Sequence, residues 1–226
     1  VTGVQTCALP ICLRLINPER LLMQGKVESI ENLCARTGIS ITYVNMDSLD
    51  SIASGIETLG ATLQCQEEAR RLKEKVAGDL ERVRKAVEQR PRPKVLIITG
   101  RQEHTLDNLY SVGGGSFVSE IVKVAGGENI FEKAQERYFE ASKESIVVGA
   151  PDVILEFQAG QTLDEAKRRS AMDDWKQMPA LPAVRDGRIV IVTESFALRP
   201  GPRIGEVARI IAKALYPDID MPEAAQ

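Results

Sequence analysis

The stretch CQEEARRLKEKVAGDLERVRKAVEQ, residues 65–89, decides the expected fold. The apolar positions of this stretch are Ala69, Leu72, Val76, Leu80, Val83 and Val87. They recur every three or four residues, and the other faces carry Glu, Lys and Arg, which predicts one straight amphipathic helix. Pro91 and Pro93 end it, after about 37 Å at 1.5 Å per residue. Such a helix can join two lobes, or it can be a surface helix or coiled-coil arm.

The sequence before this helix alternates between helix and strand patterns. Residues 21–23 predict a short buried strand, and residues 27–35 predict a helix that stops at Gly38. Residues 39–44 alternate in polarity, as a second strand does. This order indicates an α/β layer.

A further helix is predicted between that layer and the long helix. Asp47 or Ser48 can cap its first turn, because their side-chain oxygens accept from free backbone N–H groups. We expect it to run to about Leu59, where Gly60 interrupts it.

A second α/β unit follows the prolines. Residues 94–99 predict a buried strand, residues 116–124 a helix, and residues 153–157 another strand. The chain also contains an internal repeat, with one copy in each half: CLRLINPERLLM, residues 12–23, aligns with SIVVGAPDVILE, residues 145–156. Each copy has an apolar helix end, a proline turn and a strand, which favours two similar lobes, although one pair leaves chance similarity open.

Composition excludes several functions. The net charge is -3, and 29 basic residues are scattered among 32 acidic ones, so no basic surface for nucleic acid is expected. Four cysteines without CxxC spacing and the single His104 do not predict a protein-ligated metal. No apolar run approaches the roughly 20 residues of a membrane helix.

The first residues need separate treatment. VTGVQTCALPI, residues 1–11, resembles the translation of a sequencing adapter, so the natural sequence is expected to begin near Cys12. We therefore predict a remnant of an N-terminal lobe at 12–62, an inter-lobe linker helix at 63–91 and a C-terminal lobe at 92–226. The first lobe is expected to be incomplete.

Five runs in order carry a family resemblance. They are residues 31–63 (ENLCARTGISITYVNMDSLDSIASGIETLGATL), 111–131 (SVGGGSFVSEIVKVAGGENIF), 144–157 (ESIVVGAPDVILEF), 175–192 (WKQMPALPAVRDGRIVIV) and 198–217 (LRPGPRIGEVARIIAKALYP). Together they resemble the periplasmic binding proteins for ferric siderophores, haem and cobalamin. Each run is weakly specific alone, but their order and spacing match over residues 12–217.

The resemblance implies an α/β fold with two Rossmann-like lobes joined by a single long helix, and a ligand cleft between the lobes. It implies a non-enzymatic substrate-binding component of an ABC importer, which delivers a ferric siderophore, haem or cobalamin to the permease subunits. Relatives that bind bare metal ions use histidines and carboxylates. This sequence has His104 as its single histidine and therefore fits the chelate-binding branch. We expect the protein to carry no cofactor. We expect a monomer that is periplasmic, or extracytoplasmic and lipid-anchored.

By the same resemblance, Glu144 is the lobe-surface glutamate that pairs with arginines of the permease. The alternative to this docking role is that Glu144 is an ordinary exposed charge in the first turn of a helix after Ser142. The repeat places its twin at position 11, where Ile11 stands, so we expect the natural gene to encode Glu there.

The candidate ligand contacts lie on both sides of Glu144. Tyr138 can cover a flat chelate face, with ordinary packing as the alternative. Arg199 and Arg203, in LRPGPR, can bind carboxylate, phosphate or hydroxamate oxygens, although Arg203 can instead brace its loop. Gly114 and Ser116, at a helix start, can present backbone N–H groups to a ligand oxygen.

Two further residues receive structural interpretations, and one rival function stays open. Trp175 is expected to be a packing anchor, and His104 a loop residue near the cleft rim. The rival is a Rossmann-like α/β enzyme such as a chelatase or dehydrogenase, because fold alone does not decide function. No catalytic dyad, triad or cofactor fingerprint supports it, so no catalytic residue is predicted.

Overall fold

The computed structural model describes the backbone of residues 5–221 and the side chains of residues 11–221. Within these residues the α-helices are α1 Gln5–Ile16, α2 Glu28–Thr37, α3 Leu49–Thr62, α4 Gln66–Val87, α5 Phe117–Val124, α6 Lys143–Gly149, α7 Glu165–Asp174, α8 Pro182–Arg185 and α9 Ile204–Leu215. The strands are β1 Arg20–Met23, β2 Ser40–Tyr43, β3 Lys94–Gly100, β4 Tyr110–Val112, β5 Glu128–Asn129, β6 Tyr138–Glu140, β7 Val153–Phe157 and β8 Ile189–Val192. The predicted α/β class is confirmed. In this described part, no helix has the length and apolarity to cross a membrane.

The strands form two separate sheets. β1 and β2 pair in parallel before α4, and the other six strands form one sheet after it, in the order β6-β4-β3-β7-β8, with β5 also on β3. β3, β7 and β8 are parallel to one another, whereas β4 and β6 are antiparallel to their neighbours. All five residues of β7 are buried, as expected for a central parallel strand covered on both faces.

The long helix α4 lies between the two sheets in sequence and packs against α3 and α9. Its 22 residues make it about 33 Å long. Val76, Leu80, Val83 and Val87 are buried along one face, as the periodicity predicts, whereas Leu72 is 37% exposed. Because this face is covered by other helices of the same chain, α4 is not a free coiled-coil arm.

Two details of the helices before α4 differ from expectation or refine it. Ser48, not Asp47, caps α3, and its hydroxyl and that of Ser51 form a reciprocal capping box. The predicted interruption at Gly60 is wrong, because α3 continues to Thr62. A Cβ on Gly60 would lie 2.3 Å from the Cβ of Ala69, so the glycine permits close packing of α3 against the start of α4.

The buried apolar residues of the described chain form separate clusters. The first unit is the part of the chain around β1 and β2. Its apolar cluster is formed by Leu13, Ile30, Leu33, Cys34 and Ile39. The buried face of α3, with Ile52 and Ile56, instead joins the cluster formed by α4, α5, α9 and the larger sheet. The boundary at residue 62 stays a prediction, while packing places α3 with the second unit.

The internal repeat has a structural counterpart. The residue before each proline has a left-handed backbone, with φ of 44° at Asn17 and 45° at Ala150, and each proline is followed by a strand. Leu13 and Ile146 are equivalent in the alignment, and both are buried. The strands differ, because β1 is in a two-stranded sheet and Leu22 is 43% exposed, so the prediction of a buried strand there is wrong.

Candidate functional site

A cavity of about 640 Å³ lies at the carboxyl ends of β3 and β7. Its floor comes from the strand ends at residues 99–101 and 156–158, and its walls come from the loop at His104, the start of α7 at Lys167, and Leu198. In open parallel sheets, ligands bind outside the carboxyl ends of the strands, where loops from neighbouring strands converge. We call this space the strand-end cavity.

A buried group of polar side chains lies under this cavity, and we call it the Arg101 cluster: Arg101, Glu156, Asp174 and Trp175. Arg101 Nε donates to Glu156 Oε1 at 2.9 Å, and its Nη1 donates to Asp174 Oδ2 at 2.9 Å. The indole Nε1 of Trp175 donates to Glu156 Oε2 at 2.8 Å. The Arg101 and Glu156 side chains are 5% and 2% exposed, so this ion pair is almost completely removed from water.

The Arg101 cluster also fixes the loop that carries His104. Arg101 Nη1 donates to the carbonyl of Thr105 at 2.7 Å, and its Nη2 donates to the carbonyl of Ala171 on α7 at 3.1 Å. His104 itself has a φ of 60°, in the left-handed region that few non-glycine residues adopt. One guanidinium therefore joins the β3–β4 loop to α7 across the cavity wall.

The predicted ligand residue Tyr138 lies at a second location, between the first unit and the larger sheet. We call this location, where Gln24 and Asp47 meet Arg137, the seam. Arg137 beside it pairs with Asp47 at 2.5 Å, and Asp47 also accepts from Gln24 Nε2 at 3.0 Å. Tyr138 is 55% exposed, and partial burial and the Asp47 carboxylate raise its pKa. Tyr138 therefore faces the seam and is not part of the strand-end cavity lining.

The two predicted arginines differ in their surroundings. Arg199 is exposed and directly follows Leu198, which lines the strand-end cavity. The Arg203 guanidinium lies over the ring of Phe196, 4.2 Å from its centroid, in a cation–π contact that braces the loop before α9. Arg199 is therefore the better placed of the two to reach a ligand.

Gly114 and Ser116 occupy tightly packed positions. A Cβ on Gly114 would lie 2.2 Å from the carbonyl oxygen of Glu132, so this glycine permits close backbone approach. The Ser116 hydroxyl is fully buried, donates to the Gly113 carbonyl and accepts from the backbone N–H of Ser119, which caps α5. Ligand binding by these residues stays a prediction. The backbone N–H of Ser116 already donates to the Gly113 carbonyl at 3.3 Å, so Ser116 is not among the proposed contacts.

Glu144 is exposed in the first turn of α6, whose N-cap is Ser142. On the same short helix, Val147 and Val148 are 45% and 85% exposed. In the repeat Val148 aligns with Leu15, which is 80% exposed. An exposed carboxylate next to exposed apolar side chains is typical of a protein-contacting surface.

A comparison with known protein families identifies the chain. A family described as periplasmic binding protein matches residues 17–195, which include most of both units and all of α4. The chain belongs to this family. The bilobed α/β fold expected from the sequence is thereby confirmed for this periplasmic binding protein.

Curated relatives of this periplasmic binding protein include the high-affinity heme uptake system protein IsdE of Staphylococcus aureus, which is 28% identical over 146 residues. The match covers 62% of this chain and 48% of the relative, so the chain matches about half the length of that protein.

Three solved structures have the same fold. IsdE of S. aureus complexed with heme has a TM-score of 0.73 at 19% identity, covering 92% of this chain and 80% of that one. The ABC-type Fe3+-hydroxamate transport system of Saccharomonospora viridis has a TM-score of 0.73 at 20% identity, covering 92% and 72%. The vitamin B12 binding protein BtuF of Vibrio cholerae has a TM-score of 0.70 at 18% identity, covering 91% and 76%.

Sequence reasoning missed the Arg101 cluster in this periplasmic binding protein. Arg101 and Glu156 are 55 positions apart, and no local spacing connects them. One signal was present: Glu156 stands in the apolar strand VILEF, and a carboxylate buried in a strand requires a partner. The expectation that Trp175 is a packing residue is confirmed, since it is fully buried, although its indole also holds Glu156.

Proposed function

We propose that this chain is the substrate-binding component of an ABC importer that captures a metal chelate and delivers it to a permease. The chelate class comprises ferric siderophores, haem and corrinoids, because proteins for Fe3+-hydroxamate transport, vitamin B12 binding and heme binding have the same fold. The observation that supports it best is the strand-end cavity of about 640 Å³ in a member of the periplasmic binding protein family. That volume lies within the roughly 300–1,000 Å³ of small-molecule sites.

The charges at the cavity floor favour binding over catalysis. Arg101 pairs with both Glu156 and Asp174, so each of these carboxylates is held by a guanidinium N–H within the protein. A general acid or base needs a group that can exchange a proton with the substrate, and a carboxylate held by Arg and Trp is poorly suited to that. The family match likewise does not support the alternative of a Rossmann-like enzyme, and we propose no catalytic residue.

Ligand contacts are proposed at both the cavity and the seam. Tyr138 offers a partly exposed aromatic face, and Arg199 offers an exposed guanidinium one residue from the cavity lining. Arg203 can contribute a guanidinium edge while its face stays on Phe196. Gly114 precedes Gly115, where an added Cβ would lie 3.6 Å from Cγ of Arg137 at the seam, and Gly114 can present its backbone there.

Docking to the permease is proposed at α6. Glu144 supplies a carboxylate for a bidentate arginine contact, and Val147 and Val148 supply apolar area beside it. The equivalent exposure of Leu15 suggests a second contact of similar chemistry on the first unit. In this account the protein acts as a monomer, in the periplasm or anchored by a lipid outside the cytoplasm.

Equilibrium titration tests the ligand class. The 226-residue chain is titrated with hemin, cobalamin and a ferric hydroxamate siderophore, with absorbance and tryptophan fluorescence as readouts. We expect saturable binding of at least one chelate with one-to-one stoichiometry. Failure of all three, together with turnover of a chelatase or dehydrogenase substrate, would contradict the proposal.

Docking is tested with the cognate permease in proteoliposomes. Glu144→Lys is expected to reduce complex formation at least about tenfold while chelate binding is unchanged, because the charge that meets arginine is reversed. Glu165→Lys is the matched control, since Glu165 is also an exposed first-turn glutamate, on α7. Equal loss in both variants would indicate a nonspecific charge effect and would contradict a role for Glu144.

A further inference from the structure

The chain passes from the first unit to the rest of the molecule at one exposed residue, Asn45. Before it, the backbone N–H of Val44 donates to the carbonyl of Met23 at 2.8 Å, which holds Val44 to the end of β1. After it, Met46 and Leu49 pack against the larger apolar cluster, to which α3, α4, α5 and α9 contribute. The two sides of Asn45 therefore belong to different packing units, and a change of backbone angle at this residue would move one unit relative to the other.

The helix surface beneath Asn45 is formed by a glycine, Gly55 of α3. A Cβ added to Gly55 would lie 2.9 Å from Cγ1 of Val44, 3.3 Å from the carbonyl oxygen of Asn45 and 3.4 Å from Cε of Met46. A glycine has no side chain that could interlock with the chain that passes over it. The Asn45 side chain instead closes a local turn, because its Oδ1 accepts from the backbone N–H of Asp47 at 2.9 Å. The backbone at Asn45 thus lies on a smooth helix surface.

The apolar side chains on the two sides of Asn45 fall into separate clusters. Of the described residues, those in the cluster of the first unit and those packed against it extend no further along the chain than Ile41. The larger cluster and its packed neighbours begin at Met46. Units of one chain move relative to each other unless the interface between them is large and hydrophobic. We therefore expect polar contacts to hold the first unit in place.

One carboxylate, that of Asp47, connects the two units. Its Oδ1 accepts from Gln24 Nε2 of the first unit at 3.0 Å, and its Oδ2 accepts from Arg137 Nη1 beside β6 at 2.5 Å. Among residues 11–221, the bond from Gln24 is the one hydrogen bond that joins residues before Asn45 to residues after it. The Asp47 and Arg137 side chains are 34% and 51% exposed, so water competes for these contacts.

We propose that Asp47 is a latch that holds the first unit against the larger sheet, and that the first unit turns as a body about Asn45 when the bond to Gln24 opens. Arg137 holds the carboxylate in the position that Gln24 reaches. Because Tyr138 follows Arg137 at the seam, this motion sets how wide the seam is. The motion belongs to the unliganded chain and does not depend on the proposed function.

The test measures residual dipolar couplings of the backbone N–H groups in the unliganded 226-residue chain by NMR. Couplings from residues 13–44 and from residues 49–221 are fitted separately, and the degree of order of the first set is divided by that of the second. Equal order indicates one rigid body, and a lower ratio indicates independent motion of the first unit. The wild type is compared with Gln24→Ala, which removes the donor from the first unit, and with Asp47→Ala, which removes the acceptor of both bonds.

For both variants we expect the ratio to fall by at least about a fifth, because loss of an exposed contact shifts the population of the open arrangement by up to about fivefold. Lys26→Ala is the matched control and is expected to equal the wild type, since Lys26 is exposed on the same loop as Gln24. Ser48 caps α3, so Asp47→Ala leaves the start of that helix intact. Couplings that fit the structure of each unit separately establish that the variants are folded.

Three results would overturn the inference. An unchanged ratio in Gln24→Ala or in Asp47→Ala would show that this carboxylate is not the latch. An equal fall in Lys26→Ala would show that any change in the loop has the same effect. Couplings from the first unit that no longer fit its own structure would indicate local unfolding instead of rotation as a body. None of these results concerns chelate binding, so the proposed function would stand in each case.

Discussion

Replacement of Arg101 by Met tests the energetic role of the Arg101 cluster. The change leaves Glu156, whose side chain is 2% exposed, with hydrogen bonds from Trp175 and Gln158 but without its cation. Loss of one partner from a buried ion pair typically costs about 3–5 kcal/mol, because the remaining charge is uncompensated. For a protein of this size, about 2–4 °C per kcal/mol corresponds to a decrease in Tm of roughly 6–20 °C.

Urea and thermal unfolding of the unliganded chain measure this loss. Arg70→Met is the control, because Arg70 pairs with Glu67 at 2.8 Å on the exposed face of α4, where such pairs contribute at most about 1 kcal/mol. The double variant Arg101→Met/Glu156→Gln is expected to lose less stability than Arg101→Met alone, since Glu156, the more deeply buried of the two carboxylates paired with Arg101, is then neutral. A cost for Arg101→Met no larger than for Arg70→Met would refute the reasoning.

Three further predictions concern packing, capping and pH. Gly60→Ala is expected to lower the free energy of unfolding by about 1–3 kcal/mol in urea unfolding, because its Cβ would overlap that of Ala69; an unchanged midpoint would contradict the close packing. Ser48→Ala is expected to cost about 1 kcal/mol by the same measurement, because the capping box of α3 is lost, whereas no loss would contradict the cap. Burial raises the pKa of the Tyr216 phenol, so its stabilising effect is complete below about pH 10 and is lost as pH rises through the raised pKa. Unfolding of wild type and Tyr216→Phe between pH 8 and about pH 11 should show a steeper decline in the wild type, and parallel curves would contradict this prediction.

Local signals in the sequence were sufficient for most elements of the fold. Apolar periodicity located α4. Gly38, with a φ of 74°, ends α2 as expected, because a glycine in the left-handed conformation can end a helix without any tertiary contact. The proline turns at Pro18 and Pro151 were detected for the same reason. These features depend on residues that are neighbours in the chain.

The errors have a common physical origin in tertiary packing. Gly60 was interpreted by its low helix propensity, but the approach of Ala69 determines its role, and the helix continues. Leu22 was expected to be buried because it is apolar, but burial depends on what covers a strand, and β1 has one neighbour. Neither contact is encoded in local spacing.

The candidate site was predictable only in part. Family resemblance and side-chain chemistry indicated Tyr138, Arg199 and Glu144, and their roles remain proposals. The strand-end cavity and the pairing of Arg101 with Glu156 require three-dimensional contacts between β3, β7 and α7. A buried charge can be recognised in a sequence, but its partner cannot be located without the fold.

The most direct test of the account is whether a chelate binds in the strand-end cavity. Ala166 is exposed and lines the cavity from α7, so Ala166→Trp would fill the space without disturbing the core. For the chelate that binds the wild-type chain most tightly in equilibrium titration, we predict at least about a tenfold loss of affinity in Ala166→Trp at unchanged Tm. No chelate binding by the wild type, or equal binding by both proteins, would contradict the account.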